Sequence, residues 1–198
     1  MNLFHEAGPR QVYSSCWADV ALTEGWLSRE RTRALFDELR ETPGMAQAEM
    51  RLAGQAVLQP RLSIEYGASY RYSGAKHTSA PWTATLLWLA ASATSETGVR
   101  FNQALVQMYR DGNDSIGWHA DDEPELGSDP TIVSVSLGGP RRMLLRPKVG
   151  GKSTPVDLTD GSLLVMRGRT QSVAMHSIPK VARAAPRISV TLRHVIDH

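Results

Sequence analysis

The sequence predicts one α+β domain, mainly β with flanking helices, whose carboxy-terminal half forms a sandwich or barrel of short strands. Three observations carry that expectation. Apolar residues recur at helical spacing in two stretches before residue 100, and beyond it the chain breaks into short β-rich runs punctuated by Gly and Pro. The length, 198 residues, suits one substantial core, and there is no internal repeat, low-complexity tract or interdomain linker.

Taken in order, Leu27, Leu35, Phe36 and Leu39 mark a helix over 28–40, with Ser28 as N-cap and Pro43-Gly44 stopping the run. A second helix starts near Pro81-Trp82, continues through Leu86, Leu87 and Leu89, and ends before Gly98. Strands are expected at 103–109, 132–137, 142–146, 163–166, 173–178 and 188–195. Residues 1–198 are thus read as a single domain, with helices and a recognition region in 1–100 and the β core in 101–198.

Composition narrows the class of function. Residues 1–10 have no apolar stretch of signal-peptide length, and the most apolar later run, 86–93, is too short to span a bilayer. A lone cysteine, Cys16, excludes an internal disulfide and suits a reducing compartment. A soluble, cytoplasmic monomer without a membrane partner is expected. The formal net charge of +2 argues for no partner, but Arg141, Arg142, Arg146, Lys148 and Lys152 crowd a stretch without an acid. That stretch reads either as a phosphate contact or as the solvated face of a hairpin.

The chemistry-bearing pattern is His119-Ala120-Asp121, a distant His176, and Arg187 and Arg193 in R-x-S-x-T-x-R spacing. Two imidazoles and one carboxylate cap one face of an octahedral Fe(II) and leave three positions open. A closed zinc site would need a fourth ligand, and Cys16 lies far upstream. Strand alternation aims His119 and Asp121 to one side, with the third ligand on a partner strand. On the last strand Arg187, Ser189, Thr191 and Arg193 share one face, and Ile188, Val190 and Leu192 share the other. Two inward guanidiniums are costly to desolvate unless an anion lies between them, and a dicarboxylate satisfies both.

Around these residues run F-N-Q-A-L-V-Q-M-Y-R-D-G-N-D-S-I-G-W-H-A-D-D-E (101–123), T-I-V-S-V-S-L-G (131–138), D-G-S-L-L-V-M (160–166), H-S-I-P (176–179) and A-P-R-I-S-V-T-L-R (185–193). Across about two-thirds of its length the chain resembles the AlkB family of Fe(II)/2-oxoglutarate dioxygenases, in the branch of the nucleic-acid repair demethylases. The resemblance implies a double-stranded β-helix of the jelly-roll type, with Fe(II), 2-oxoglutarate and O₂ as cofactor and co-substrates. It implies His119, Asp121 and His176 as iron ligands. Arg187, helped by Tyr109 and Ser189, would bind the distal carboxylate of 2-oxoglutarate, while Arg193 and Gln107 would lie nearer the chelating one. The family commonly has Asn where this chain has Gln107 and Ser189; both replacements can still hydrogen-bond an oxygen.

The implied reaction is oxidative dealkylation of N-alkylated bases, of the 1-methyladenine or 3-methylcytosine type, in DNA or RNA. Tyr72 would stack on a flipped base opposite His119, Tyr70 and Glu123 would contact its exocyclic nitrogen, and Arg61 would touch backbone or base edge. Trp82, Trp88 and Trp118 are read as core residues. Duplex-acting relatives carry an aromatic wedge in a hairpin, where Met50-Arg51-Leu52-Ala53-Gly54 here offers Ala53, and a basic cluster of which Lys180-Val181-Ala182-Arg183 keeps less. Single strands are therefore the expected substrate. The alternatives are a dioxygenase of the same fold acting on a protein or small molecule, and a non-catalytic module that binds alkylated nucleic acid.

Overall fold

In a computed structural model describing residues 10–12, 18–52, 55–68, 71–72, 75–76 and 79–196, two antiparallel sheets face each other and two helices back the larger one. In chain order the elements are β1 (Arg10–Val12), β2 (Asp19–Thr23), α1 (Arg29–Arg40), β3 (Ala46–Leu52), β4 (Gln55–Gly67), β5 (Arg71–Tyr72), β6 (Ala75–Lys76) and α2 (Ala84–Thr97). There follow β7 (Gln103–Tyr109), β8 (Ile116–His119), a 3₁₀ turn (Pro124–Leu126), β9 (Ile132–Gly138), β10 (Arg141–Pro147), β11 (Thr154–Leu158), β12 (Leu163–Arg167), α3 (Thr170–Val173), β13 (Ala174–Ile178) and β14 (Arg187–Arg193).

The larger sheet has the order β1-β2-β12-β9-β14-β7-β4-β3, the smaller one β11-β10-β13-β8, and β5 pairs with β6. From β7 to β14 the chain passes back and forth between the two sheets, which is the jelly-roll winding of a double-stranded β-helix. Two apolar layers result. One, including Leu35, Leu39, Leu86 and Leu89 with Val106, Val135 and Val190, joins the helices to the back of the larger sheet. The other, including Met143, Leu145, Leu158, Leu164, Met166 and Ile178, fills the space between the sheets.

Both helices form where their caps require. Ser28 Oγ accepts from the Arg31 amide at 3.3 Å, and Thr83 Oγ1 from the Leu86 amide at 3.2 Å. Gly98 ends α2 at φ +77°, a left-handed conformation that glycine adopts without strain. The six expected strands are all present, with ends shifted by two residues at most. The region before residue 100 is less helical than expected, because β1 to β4 all join the larger sheet. The run D-V-A-L-T of β2 is short and apolar, and periodicity does not distinguish such a run from a helix segment. Pro155 obscured β11, where proline is tolerated because the strand lies at a sheet edge.

The turn between β7 and β8 is tied down from three sides, and it aims β8. The Asp114 carboxylate accepts from the Arg110 amide at 2.9 Å, from its Nε at 2.8 Å and from its Nη2 at 2.9 Å. Buried Arg141 donates to the carbonyls of Asp111, Asp114 and Pro179 at 3.1, 2.9 and 2.7 Å. A Cβ on Gly112 would stand 2.1 Å from the Val181 carbonyl oxygen, so this close approach requires glycine.

Burial alone would raise the pKa of Asp114, but its bonds to Arg110 outweigh burial and hold it below the usual carboxylate range. A depressed carboxylate adds stability that is present above its unfolded pKa of about 3.9 and is lost as pH falls through the lower folded value. Arg110 is 44% exposed, so solvent screening limits the pair to about 1–2 kcal/mol. Asp114→Asn is expected to lose that increment at pH 7 and to flatten the acid limb, as read from urea midpoints between pH 7 and pH 3.

Candidate active site

Strand alternation on β14 divides its side chains as expected. Ile188, Val190 and Leu192 are fully buried in the layer under the helices, while Arg187, Ser189, Thr191 and Arg193 line a pocket between the sheets. Gln107 and Tyr109, on the neighbouring β7, line the same pocket, opposite Ser189 and Arg187 in register. The far wall carries His119 and His176, which are direct cross-strand partners on β8 and β13.

A β-bulge puts His119 there. Ile116 pairs with Ile178 and His119 with His176, so three steps on β8 match two on β13. Ile116 and His119 thereby both face the pocket. Trp118 falls outside both apolar layers, half-buried with the Arg146 guanidinium 4.0 Å from its ring centroid, which corrects its reading as a core residue. The two imidazoles are in contact, with centroids 4.2 Å apart at 52°. His119 Nδ1 lies 2.9 Å from the Gly117 carbonyl, which can only accept, so Nδ1 carries the proton and Nε2 keeps its lone pair.

Asp121 lies beyond the end of β8, so strand alternation does not place it. Two other contacts do: Oδ1 accepts from Arg193 Nη2 at 2.9 Å, and its backbone N–H donates to Gln171 Oε1 at 3.0 Å. Among the described residues no three His, Cys, Asp or Glu side chains are gathered closely enough to hold an ion as they stand. The protonation states nevertheless suit a metal. Burial and neighbouring His119 lower His176 to about 3, and burial also lowers His119, so both rings are neutral at pH 7. Burial would raise Asp121, but Arg193 and the two imidazoles hold it at about 2.

Arg187, which lines the same pocket, is fully buried. Its Nη2 donates to Ser136 Oγ at 2.9 Å and, at a long 3.4 Å, to Ser189 Oγ. Its carbon centre stands 5.3 Å from the Tyr109 ring centroid, Tyr109 favours its charged form, and among the described residues neither Nε nor Nη1 has a hydrogen-bond partner. Burial lowers its pKa to about 10, so it is still a cation at neutral pH. A buried cation with two unsatisfied nitrogens strongly favours an anionic ligand.

Of the four residues expected at the substrate, Arg61 and Glu123 have described side chains. Arg61 follows Pro60 at an irregularity in the β3–β4 pairing and is only 3% exposed. Its Nη1 donates to the Ser115 carbonyl at 3.2 Å, and its Nε and Nη2 donate to Gln107 Oε1 at 2.8 and 3.1 Å. Its guanidinium is thus committed to protein acceptors and orients the Gln107 amide. Glu123 is half-buried, its Oε2 is buried without a partner among the described residues, and burial together with the Asp121 charge raises it to about 7. Tyr70 and Ala53 lie outside the described residues, and Tyr72 is described only by its backbone in β5.

The basic stretch is mostly engaged with the protein. Besides buried Arg141, Arg142 pairs with Asp157 at 2.7 Å, Lys148 with Asp122 at 2.6 Å, and Arg146 covers Trp118. Sequence reasoning missed Ser134 and Ser136, although the alternation in T-I-V-S-V-S-L-G could have shown both on the polar face. It also missed Gln171, for which a four-residue helix gives no periodic signal.

Residues 19–193 match the model of the 2OG-Fe(II) oxygenase superfamily. The chain is 35% identical over 176 residues to the mouse (Mus musculus) DNA oxidative demethylase ALKBH2, covering 83% of this chain and 73% of that protein. The chain belongs to the AlkB family. Another AlkB relative, the bovine (Bos taurus) alpha-ketoglutarate-dependent dioxygenase alkB homolog 3, is 35% identical over 189 residues, covering 89% of this chain and 66% of its own length. The human (Homo sapiens) alkB homolog 3 is 38% identical over 149 residues, covering 69% of this chain. Against that human relative the chain spans about half the length, 52%. The AlkB fold is also seen in the solved structure of OsALKBH1, with a TM-score of 0.67 over 94% of this chain and all of that one, at 16% identity. The superfamily's chemistry calls for Fe(II), 2-oxoglutarate and O₂. No helix among the described residues is long and apolar enough to cross a membrane.

Proposed function

We propose that this chain is an Fe(II)/2-oxoglutarate-dependent oxidative dealkylase that repairs N-alkylated bases of the 1-methyladenine or 3-methylcytosine type in DNA or RNA, with a preference for single strands. One observation carries the reading: the buried Arg187 guanidinium has two nitrogens without a hydrogen-bond partner among the described residues and lines the same pocket as His119, Asp121 and His176. A dicarboxylate fits between such a cation and a metal held on the opposite wall.

His119, Asp121 and His176 are the ligand set in this reading, and each is in its ligating protonation state at pH 7. Arg187, Tyr109 and Ser189 bind the distal carboxylate. Arg193 fixes Asp121 and lies toward the chelating carboxylate, with Gln107 beside it. If Fe(II) and 2-oxoglutarate were bound by these residues, they would supply the oxidising chemistry, in which O₂ and 2-oxoglutarate are consumed to give succinate and CO₂ and one oxygen atom is delivered to the N-methyl group. The hydroxymethyl amine then releases formaldehyde and the unmodified base. Glu123, close enough to Asp121 to feel its charge, has a buried oxygen without a partner among the described residues and is assigned to the exocyclic nitrogen of the base. Tyr70 and Tyr72 are assigned to base contact and stacking.

The relatives named as DNA oxidative demethylases support a nucleic-acid substrate, and those named alpha-ketoglutarate-dependent dioxygenases support the co-substrate. The test supplies anaerobically Fe(II)-reconstituted protein with 2-oxoglutarate, O₂ and a 1-methyladenine oligonucleotide, and measures formaldehyde and succinate. Equal yields of both are expected, with faster release from the single strand than from the matching duplex. Succinate without repaired base would point to a protein or small-molecule substrate, and neither product to a binding module. Equal rates on both strands would overturn the strand preference.

A further inference from the structure

Asp121 sits in the segment 120–131, after β8 has ended, where no ladder fixes its backbone. Its carboxylate is held by Arg193 on β14, but its main chain is held from elsewhere. The Asp121 N–H donates to Gln171 Oε1 at 3.0 Å, and Gln171 is 1% exposed. The other end of that amide donates to Met166 Sδ at 3.4 Å, which fixes which end faces Asp121. Gln171 belongs to α3, and α3 is itself anchored. Thr170 Oγ1 donates to the Arg167 carbonyl at 2.6 Å and accepts from the Asp19 amide of β2 at 2.9 Å.

We propose that Gln171 is a positioning residue for the metal site, setting the distance between Asp121 and His176. The inference rests on reading these two residues as iron ligands. Gln171 precedes His176 by five residues, and α3 runs directly into β13, which carries that histidine. One rigid segment therefore presents one ligand from its strand and grips the backbone of another through its helix. Arg193 neutralises and orients the carboxylate; Gln171 fixes the main chain from which that carboxylate projects. Partners of this kind, one bond removed from the ligand, change metal affinity by about 10–100-fold when lost.

The test uses Gln171→Met, which keeps length and apolar bulk but removes the acceptor, together with Asp121→Asn as a control. Dissociation constants for Mn(II) are measured by anaerobic calorimetry. Visible spectra of the Co(II)-loaded proteins report ligand geometry, and thermal melting of the metal-free proteins reports folding. Gln171→Met is expected to weaken Mn(II) binding by about 10-fold or more and to alter the Co(II) spectrum, and Gln171→Glu, which restores an oxygen acceptor, to recover the spectrum. Unchanged Mn(II) affinity and Co(II) spectrum in Gln171→Met, with Asp121→Asn weakened, would overturn the role of Gln171 alone. A lowered melting temperature with an unchanged spectrum would reduce Gln171 to a packing residue and likewise overturn it. Unchanged metal affinity in Asp121→Asn would overturn the ligand assignment beneath it.

Discussion

Asp121→Ala is expected to abolish succinate formation, leaving no more than the metal-free background. Two separate losses combine. The only anionic member of the proposed ligand set disappears, so the remaining imidazoles must hold iron without charge compensation. The buried guanidinium of Arg193 also loses the carboxylate that stands 2.9 Å away, a change that destabilises folded proteins by about 3–5 kcal/mol when the pair is buried. Asp121→Asn separates the two effects. It keeps an oxygen acceptor of the same shape for Arg193, so it should melt closer to the wild type while remaining inactive. Full activity in either variant, measured as succinate after reconstitution with Fe(II), contradicts the iron site described above.

Arg187→Met is expected to act in opposite directions on stability and on co-substrate binding. Arg187 is a fully buried cation whose Nε and Nη1 have no partner among the described residues, so in the absence of co-substrate replacing it by an apolar side chain of similar length should leave stability unchanged or raise it. Affinity for 2-oxoglutarate should fall by about 2–5 kcal/mol, roughly 30-fold to several-thousand-fold, because the distal carboxylate loses its charged partner. A simple structural arginine would show the reverse pattern, with a lower melting temperature and little change in affinity. Calorimetric titration with 2-oxoglutarate and a thermal melt of the same preparation distinguish the two.

How much of this was legible before the structure depended on whether alternation governs the position. On β14 it does, and R-x-S-x-T-x-R could be read as one polar face without any coordinates. On β8 it does not. The bulge inserts a residue between Ile116 and His119, and the strand ends before Asp121, so the alternation that seemed to join His119 to Asp121 is not what places them. His119 and His176 are direct partners across a ladder, yet they lie 57 positions apart in the chain and only the winding of the jelly roll brings them together. Arg61 and Arg141 show the converse failure. Residue type marked both as candidates for contact with substrate or phosphate, whereas each is buried and donates to protein acceptors. Burial of a charged residue whose guanidinium donates to carbonyl oxygens leaves no trace in local sequence, since its partners come from segments distant in the chain.

The measurement that bears most directly on the proposed site is 2-oxoglutarate binding under anaerobic conditions, with and without Mn(II) standing in for iron. If His119, Asp121 and His176 hold a metal opposite Arg187, one dicarboxylate bridges both walls of the pocket. Affinity should then rise by about 10-fold or more when the metal is present, and Arg187→Met and Asp121→Asn should each weaken binding to the metal-loaded protein. Equal affinity with and without metal, insensitive to both substitutions, would contradict a shared site for iron and co-substrate.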